Sequence, residues 1–238
     1  MAGGQGNGTQ LVARAAGIAP AACRPGTRVA FWLTLLVSLS VLVASAYPQD
    51  KQREQLIPIL GVTMGEKPTG MVEFLILSFE DRHDRAGLSI QFRNAPGRFS
   101  RMAQTAVEQA IYRTANVAGL STDSWTVVLS VPHSGLTVYG ESLSAMVALS
   151  VVALAKGEPI PSDRVITGAV TPDGQIAAVG GLSFKVAAAG EAHLSRVLVP
   201  DDLGQAENDW RTPFLVHVTP VASISQAYYA LTDHPLHP

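Results

Sequence analysis

The sequence predicts a mixed α+β fold, and three observations support this class. Short stretches rich in β-branched or aromatic residues alternate with stretches of helical periodicity. The alternation is irregular and shows no repeat of fixed period, which argues against a barrel or a bundle. The length of 238 residues allows one domain of ordinary size, or two at most.

The first 60 residues are expected to precede the folded domain. Residues 1–28 are rich in Gly and Ala and have few large apolar side chains, which predicts a disordered cytoplasmic tail. Residues 29–47 form an uncharged apolar run of 19 residues, which is about the length needed to cross a bilayer. The polar segment 48–60 then predicts a linker, and the domain is expected to occupy 61–238.

The apolar run at 29–47 is interpreted as a membrane signal of one of two kinds. Arg14, Arg24 and Arg28 precede it without any acidic residue, so the positive-inside rule keeps the N-terminus cytoplasmic and the following domain extracytoplasmic. Its length favours a single-pass transmembrane helix, that is, a signal-anchor. The small residues at 44–46 are also typical of a cleavage site, and cleavage after Ala46 would release a secreted domain.

Seven strands are predicted from their length and from their content of β-branched or aromatic residues. They lie at 72–79, 87–92, 125–131, 164–170, 175–179, 196–199 and 214–218.

Four helices are predicted from apolar spacing and from end signals. They lie at 99–117, 142–156, 182–189 and 223–231. Gly119 follows the first helix as a C-cap, while Gly157 and Pro159 end the second. The second helix is apolar nearly all round, so we expect it to be buried on most sides.

Composition and motifs exclude several classes of function. The 17 basic and 19 acidic residues give a net charge of −2, which does not support nucleic-acid binding. The single cysteine, Cys23, excludes an internal disulfide framework and a cysteine-rich metal site. None of the six histidines falls in a close metal-ligand pattern, and no G-x4-G-K-[ST] run is present to hold nucleotide phosphates.

Lys185 stands out among the four lysines because its neighbours are apolar. Leu182, Phe184 and the run 186–189 surround it in a predicted helix. Desolvation there would lower the pKa of its amine towards the range of a general base. The alternative is a lysine whose ammonium reaches solvent from the one polar side of the helix.

Ser142 lies at the start of the predicted buried helix, in GESLS (140–144). A hydroxyl placed there can act as a nucleophile, because backbone N–H groups at a helix start can stabilise an oxyanion. The alternative is a serine that only caps the helix. Taken separately, neither Ser142 nor Lys185 decides between a chemical and a structural role.

The two residues lie in a gap-free series of motifs. GESLS (140–144) is followed by GEPIPSD (157–163), ITGAV (166–170) and GQIAAVGGL (174–182), and then by Lys185. This series resembles the proteolytic domain of the Lon proteases, the Ser-Lys peptidases. That family carries G-P-S-A-G, G-x-P-x-x-S-D, T-G-E-I and G-x-V-x-x-[IV]-G-G-[LI], with a lysine three residues further on. The serine-to-lysine separation of 43 residues is also similar, and weaker resemblance covers most of 61–235.

The resemblance implies a role for each matching residue. Ser142 would be the nucleophile, Lys185 the general base, and Thr167 the hydroxyl that orients the lysine amine. The backbone around Ser142, at Gly140, Glu141 and Leu143, would form the oxyanion hole.

Four positions depart from the family pattern: Glu141 replaces its proline and Ser144 its second glycine, while Tyr139 and Ala169 stand at acidic positions. A carboxylate at Glu141 would oppose a developing oxyanion unless it turned to solvent.

The resemblance also implies an activity and its partners. The expected protein is a serine endopeptidase without an ATPase of its own, which hydrolyses polypeptide substrates through an acyl-enzyme intermediate. It is expected to need no cofactor or metal, to bind no nucleic acid, to contact the membrane through 29–47, and to form a homo-oligomeric ring. Glu141 leaves one alternative, a weak or inactive Lon-like domain that serves as a membrane-anchored polypeptide-binding module.

Overall fold

The computed structural model of the chain describes residues 53–202 and 216–237. The expected tail at 1–28 and the apolar run at 29–47 lie outside these residues, and so do residues 48–52. Within the two described ranges, no helix combines the length and the apolar character that a membrane crossing requires.

The described residues form eleven strands and four helices in a mixed α/β arrangement. The strands are β1 (Arg53–Val62), β2 (Gly70–Asp81), β3 (Ser89–Phe92), β4 (Arg98–Phe99), β5 (Trp125–Ser130), β6 (Thr137–Val138), β7 (Arg164–Ile166), β8 (Ala169–Val170), β9 (Ile176–Ala177), β10 (Arg196–Pro200) and β11 (His217–Val221). The helices are α1 (Arg101–Val117), α2 (Ser144–Lys156), α3 (Leu182–Glu191) and α4 (Ile224–Thr232).

The larger sheet has four strands in the order β1-β2-β5-β3. β2 pairs antiparallel with β1 and β5, and β3 is parallel to β5. Leu75, Leu77 and Phe79 alternate along β2 and are buried, because side chains two residues apart lie on the same face of a strand. This face packs against helices and forms the core of the domain.

The smaller sheet consists of three parallel strands in the order β11-β10-β7. Two further ladders have two strands each: β4 and β6 are parallel, and β8 and β9 are antiparallel. The β8–β9 ladder lies next to β7 in the chain, so the short segment between β7 and β8 joins a sheet to a hairpin. That segment contains Thr167 and Gly168.

The helices agree with the sequence predictions. α1 begins after Ser100, whose side chain accepts a hydrogen bond from the Ala103 N–H at 3.2 Å, as an N-cap does. α2 is buried at every position from Ser144 to Leu154, as its lack of a polar face predicts, and ends at Gly157 with φ +76°. α2 packs against α1 and also against β1 and β2.

The structure corrects two sequence expectations. The expected linker at 48–60 is a strand from Arg53 onward, because β1 pairs with β2 along its full length from Arg53↔Phe79 to Val62↔Gly70. The expected strand at 164–170 is two strands of different sheets. The Thr167 N–H still donates to the Leu198 carbonyl, but the Gly168 N–H donates to the Ser142 carbonyl, so the chain leaves the sheet there.

Candidate active site

Ser142 lies immediately before α2, at the mouth of a cleft. The N-cap of α2 is Leu143, and no side chain caps this helix. Ser142 is half-buried and lines the cleft with its neighbours Gly140 and Leu143. The Ser142 hydroxyl is therefore not used for helix capping, which was the structural alternative for this residue.

Backbone hydrogen bonds fix the loop that carries Ser142. The Ser142 carbonyl accepts from the Gly168 N–H at 3.0 Å, and the Gly168 carbonyl accepts from the Ala145 N–H at 3.3 Å. Gly168 also packs closely against β9, where a Cβ atom on Gly168 would lie 2.5 Å from Ile176 Cγ2, so a residue with a side chain does not fit there without a shift. The serine loop is thus bonded directly to the residue that follows Thr167.

The structure brings Lys185 and Thr167 together in the interior. Lys185 is 3% exposed and Thr167 is fully buried. The Lys185 Nζ donates a hydrogen bond of 3.2 Å to Thr167 Oγ1. Ser142 and Lys185 line the same cleft, and the described part of the chain shows no direct hydrogen bond between their side chains.

Two glycines allow α3 to hold Lys185 close to the larger sheet. Gly181 is the N-cap of α3, with φ +74°, and its carbonyl accepts from the Lys185 N–H at 3.1 Å. Gly70, at the start of β2, touches the backbone of α3: a Cβ atom there would lie 1.9 Å from the Phe184 carbonyl oxygen. The lysine helix therefore packs directly against a strand backbone.

The cleft has a volume of about 600 Å³ and is lined mainly by apolar side chains. One wall is the end of β1 and the following turn (59–64), and the other is the segment 135–140 that leads to the serine loop. Met71 and Glu73 of β2 lie between these walls, while Gly180 and Lys185 line the cleft from the side of α3. Such a cleft can accept an extended segment of a ligand.

The serine loop carries backbone N–H groups that are available to an anion. Within the described residues, the N–H groups of Gly140, Glu141, Ser142 and Leu143 donate no hydrogen bond, whereas those of the next two residues donate to the Glu141 and Gly168 carbonyls. A hydroxyl and a buried amine in one cleft, with available N–H groups on the serine loop, are groups that acyl transfer uses.

The positions that depart from the family pattern lie differently in space. Glu141 is exposed and does not line the cleft, although its neighbours Gly140 and Ser142 do. Tyr139 is 68% exposed and lines the rim. Ser144 is buried in the first turn of α2, and Ala169 is buried in β8. The Glu141 side chain is thus exposed to solvent and is not part of the cleft lining.

Two polar residues of this region, Glu73 and His133, were not among the site residues predicted from the sequence. Glu73 is 8% exposed and lines the cleft, and its Oε1 lies 2.5 Å from His133 Nδ1. The available signal was the position of Glu73 within the apolar run of β2, in phase with the core residues Leu75 and Leu77. The histidine partner has no such signal, because it lies 60 residues away in a loop.

None of the described residues forms a group suited to a metal. Residues 53–202 and 216–237 contain no set of three or more His, Cys, Asp or Glu side chains that could hold an ion.

Comparison with known proteins identifies the same region. Residues 100–211 match the family model of the Lon protease (S16) C-terminal proteolytic domain. The archaeal Lon protease of Archaeoglobus fulgidus is 27% identical over 137 residues, which cover 56% of this chain and 21% of that protein. The archaeal Lon protease of Methanothermobacter thermautotrophicus is 24% identical over 131 residues, 55% of this chain and 20% of that protein.

A bacterial relative gives a shorter match at higher identity. The Lon protease of Clostridioides difficile is 31% identical over 74 residues, which cover 31% of this chain and 9% of that protein. The chain thus spans about a fifth or less of these relatives. The matched part includes all the motifs from Gly140 to Lys185. Residues 100–211 are therefore similar to the C-terminal proteolytic domain of the Lon proteases.

Proposed function

We propose that the protein is a serine endopeptidase in which Ser142 is the nucleophile and Lys185 the general base. Its similarity to the Lon proteolytic domain supports a serine peptidase. The observation that carries the assignment of roles is the shared cleft: Ser142 and Lys185 both line it, and the Lys185 amine is hydrogen-bonded to Thr167.

In the proposed reaction the neutral Lys185 amine takes the proton of the Ser142 hydroxyl as Oγ bonds to the substrate carbonyl carbon. The free N–H groups of Ser142 and Leu143 stabilise the oxyanion that forms on the carbonyl oxygen. The C–N bond then breaks, and the amine product leaves with the proton from Lys185. Water next attacks the acyl carbon and gives a proton to Lys185. The ester bond to Ser142 then breaks, Ser142 Oγ takes this proton back from Lys185, and the acid product leaves.

Burial supports this assignment of Lys185. A base must be neutral before the reaction, and withdrawal from water disfavours the ammonium form of a lysine. Thr167 Oγ1 holds the amine in place without adding a charge to the site.

The assignment is tested by cleavage of casein and of a fluorogenic peptide by the full-length chain. We expect Ser142→Ala and Lys185→Met each to lower kcat/KM by about a thousandfold or more. The matched controls are Ser183→Ala, an exposed serine of α3, and Lys67→Met, an exposed lysine. Wild-type activity in either site variant would show that the assigned residues do not carry the reaction.

A peptide boronate separates a peptidase from a module that only binds polypeptides. Boron forms a bond with a reactive serine Oγ, so we expect tight inhibition of the wild type and loss of boronate binding in Ser142→Ala. A binding module would bind the parent peptide and the boronate equally well, with or without the Ser142 hydroxyl. That result would replace the peptidase proposal with the binding-module alternative.

We also propose that residues 29–47 anchor the chain in a membrane, with the N-terminus cytoplasmic and the peptidase domain extracytoplasmic. Cys23, the single cysteine, gives a direct test in intact cells. A membrane-impermeant maleimide should label Cys23 only after permeabilisation, whereas Ser183→Cys should be labelled without it. Cleavage after Ala46 would remove Cys23 from the mature chain, which would then not be labelled at Cys23 under either condition. Labelling of Ser183→Cys only after permeabilisation would contradict the proposed orientation.

The proposed peptidase assembles as a homo-oligomeric ring, as the resemblance to Lon implies. Sedimentation velocity of the detergent-solubilised chain tests this against the monomer mass of 25.1 kDa. A species of monomer mass at all protein concentrations would contradict it.

A further inference from the structure

Glu73 occupies a buried position of β2 that is suited to an apolar side chain. It lies two residues before Leu75 and shares its inward-facing side of the strand. The residue opposite Glu73 on the antiparallel strand β1 is Ile59, which is also buried. Burying a carboxylate costs free energy unless it is well paired. Packing alone therefore does not explain a glutamate at this position.

The contacts of Glu73 leave half of its carboxylate free. Oε1 accepts a hydrogen bond from the Phe74 N–H at 3.0 Å and lies 2.5 Å from His133 Nδ1. Among the described residues Oε2 makes no hydrogen bond or ion pair, and it is not one of the fully buried polar atoms without a partner. The free oxygen is therefore open to the cleft that Glu73 lines.

The rest of the cleft fits a long side chain with a cationic end. Val62, Leu136 and Met71 line it with apolar surface, against which the methylene groups of lysine or arginine can pack. Glu73 is the single carboxylate of the cleft lining in the described structure, and the other ionisable side chains there are Lys185 and Tyr139. A carboxylate within an otherwise apolar peptidase pocket selects basic substrate residues by charge.

We propose that Glu73 makes this cleft a binding site for a basic side chain, so that the preferred substrates carry lysine or arginine at one fixed position relative to the scissile bond. The inference rests on the proposed function, because it assigns the substrate class of the same site. Oε2 binds the ammonium or guanidinium group, and His133 holds Oε1 from the opposite side. Glu73 is a specificity residue and takes no part in bond breaking.

The experiment compares the full-length wild type with Glu73→Gln on a positional library of fluorogenic peptides. The Gln amide oxygen can still accept from Phe74 and His133, so the variant removes the charge and little else. We expect the wild type to favour Lys or Arg over norleucine at one position. In Glu73→Gln the ratio of kcat/KM for the basic over the neutral peptide should fall by about tenfold or more.

Two further variants keep the result interpretable. Glu73→Asp retains the charge and should keep part of the preference for basic residues. Glu80→Gln removes a carboxylate from the same strand outside the cleft and should leave the ratio unchanged. An unchanged ratio in Glu73→Gln, or no basic preference in the wild type, overturns the proposal while leaving the peptidase assignment intact.

Failure of the peptidase assignment is distinguished by a binding measurement. Fluorescence anisotropy with the Ser142→Ala chain compares a lysine-containing peptide with its norleucine counterpart, and needs no catalysis. Tighter binding of the lysine peptide, lost when Glu73→Gln is added, supports the basic site even if no cleavage occurs. Equal binding of the two peptides overturns it.

Discussion

Thr167 and Thr114 are both fully buried threonines, but their hydroxyl groups differ in what they contact. Thr167 Oγ1 accepts from the Lys185 amine, whereas Thr114 Oγ1 has no hydrogen-bond partner among the described residues. Valine matches threonine in shape and removes the hydroxyl alone. Comparing the two Thr→Val variants therefore separates the effect of losing the Thr167 hydroxyl on activity from the general effect of the substitution.

We expect Thr167→Val to lower kcat/KM by about tenfold, because the lysine amine loses the group that orients it. Thr114→Val should leave activity unchanged and raise the free energy of unfolding by about 1 kcal/mol, because it removes an unsatisfied buried hydroxyl. Peptide cleavage and urea unfolding measure the two quantities. Equal activity in both variants would show that Thr167 does not orient the base.

Local sequence singled out Ser142 and Lys185 as candidates, and the motif spacing of a family then linked them to each other and to Thr167. The sequence could not predict that Glu73 lines the same cleft, since this depends on how β2 meets a loop 60 residues away. A carboxylate within an apolar strand indicates a candidate functional site, but the strand sequence does not predict which other groups will lie beside that carboxylate.

At the scale of elements, hydrophobic periodicity predicted those elements that are determined by their own local sequence. The four helices were found because apolar spacing and end signals lie within each segment. β1 was missed because its polar residues obtain partners far away in the chain: the side chains of Arg53 and Gln55 donate to the Leu154 and Ile160 carbonyls. The end of the strand at Gly168 was missed because it also depends on a residue distant in sequence. The Gly168 N–H donates to the Ser142 carbonyl and not to a neighbouring strand.

The contact between β2 and α3 predicts that Gly70 is sensitive to substitution. Gly70→Ala would place a methyl group against the Phe184 carbonyl, so α3 must shift, and we expect a loss of about 1–3 kcal/mol in the free energy of unfolding. Gly65→Ala is the control, because a Cβ atom there has no neighbour within 4 Å. Urea unfolding of both variants is the measurement, and equal midpoints would contradict this packing.

Asp233 connects α4 to the smaller sheet through Arg164 of β7 and Arg196 of β10. The hydrogen bond from Arg164, and then that from Arg196, lowers the pKa of Asp233 below the ordinary value of 3.8. A lowered pKa in the folded state stabilises the fold above the ordinary pKa. That contribution is lost as the pH falls through the lowered value.

We therefore expect Asp233→Asn to be less stable than the wild type near pH 6, with the difference narrowing below about pH 4. Asn also tolerates the left-handed backbone that Asp233 adopts, with φ +62°. Urea midpoints measured from pH 6 to pH 3 provide the test, with the exposed Asp123→Asn as control. A difference that is constant with pH would exclude the ion pairs as its cause.

At the scale of the whole molecule, the chain contains a region similar to the Lon proteolytic domain and has no phosphate-binding G-x4-G-K-[ST] run. We expect peptide cleavage by the 238-residue chain to proceed without nucleotide. Rates measured with and without Mg–ATP should agree. Stimulation by ATP that persists after repurification would show that a nucleotide contributes to activity.

The two backbone hydrogen bonds between Gly168 and the serine loop also have a dynamic consequence. Any opening that frees the Ser142 carbonyl must break the bond from the Gly168 N–H, next to the threonine that holds Lys185. Ser142, Lys185 and Thr167, to which we assign the roles of nucleophile, base and orienting hydroxyl, would then lose their arrangement in a single event. The amide protons of Gly168 and Ala145 should therefore give one common free energy of opening in deuterium exchange, which reports how often the site is disassembled.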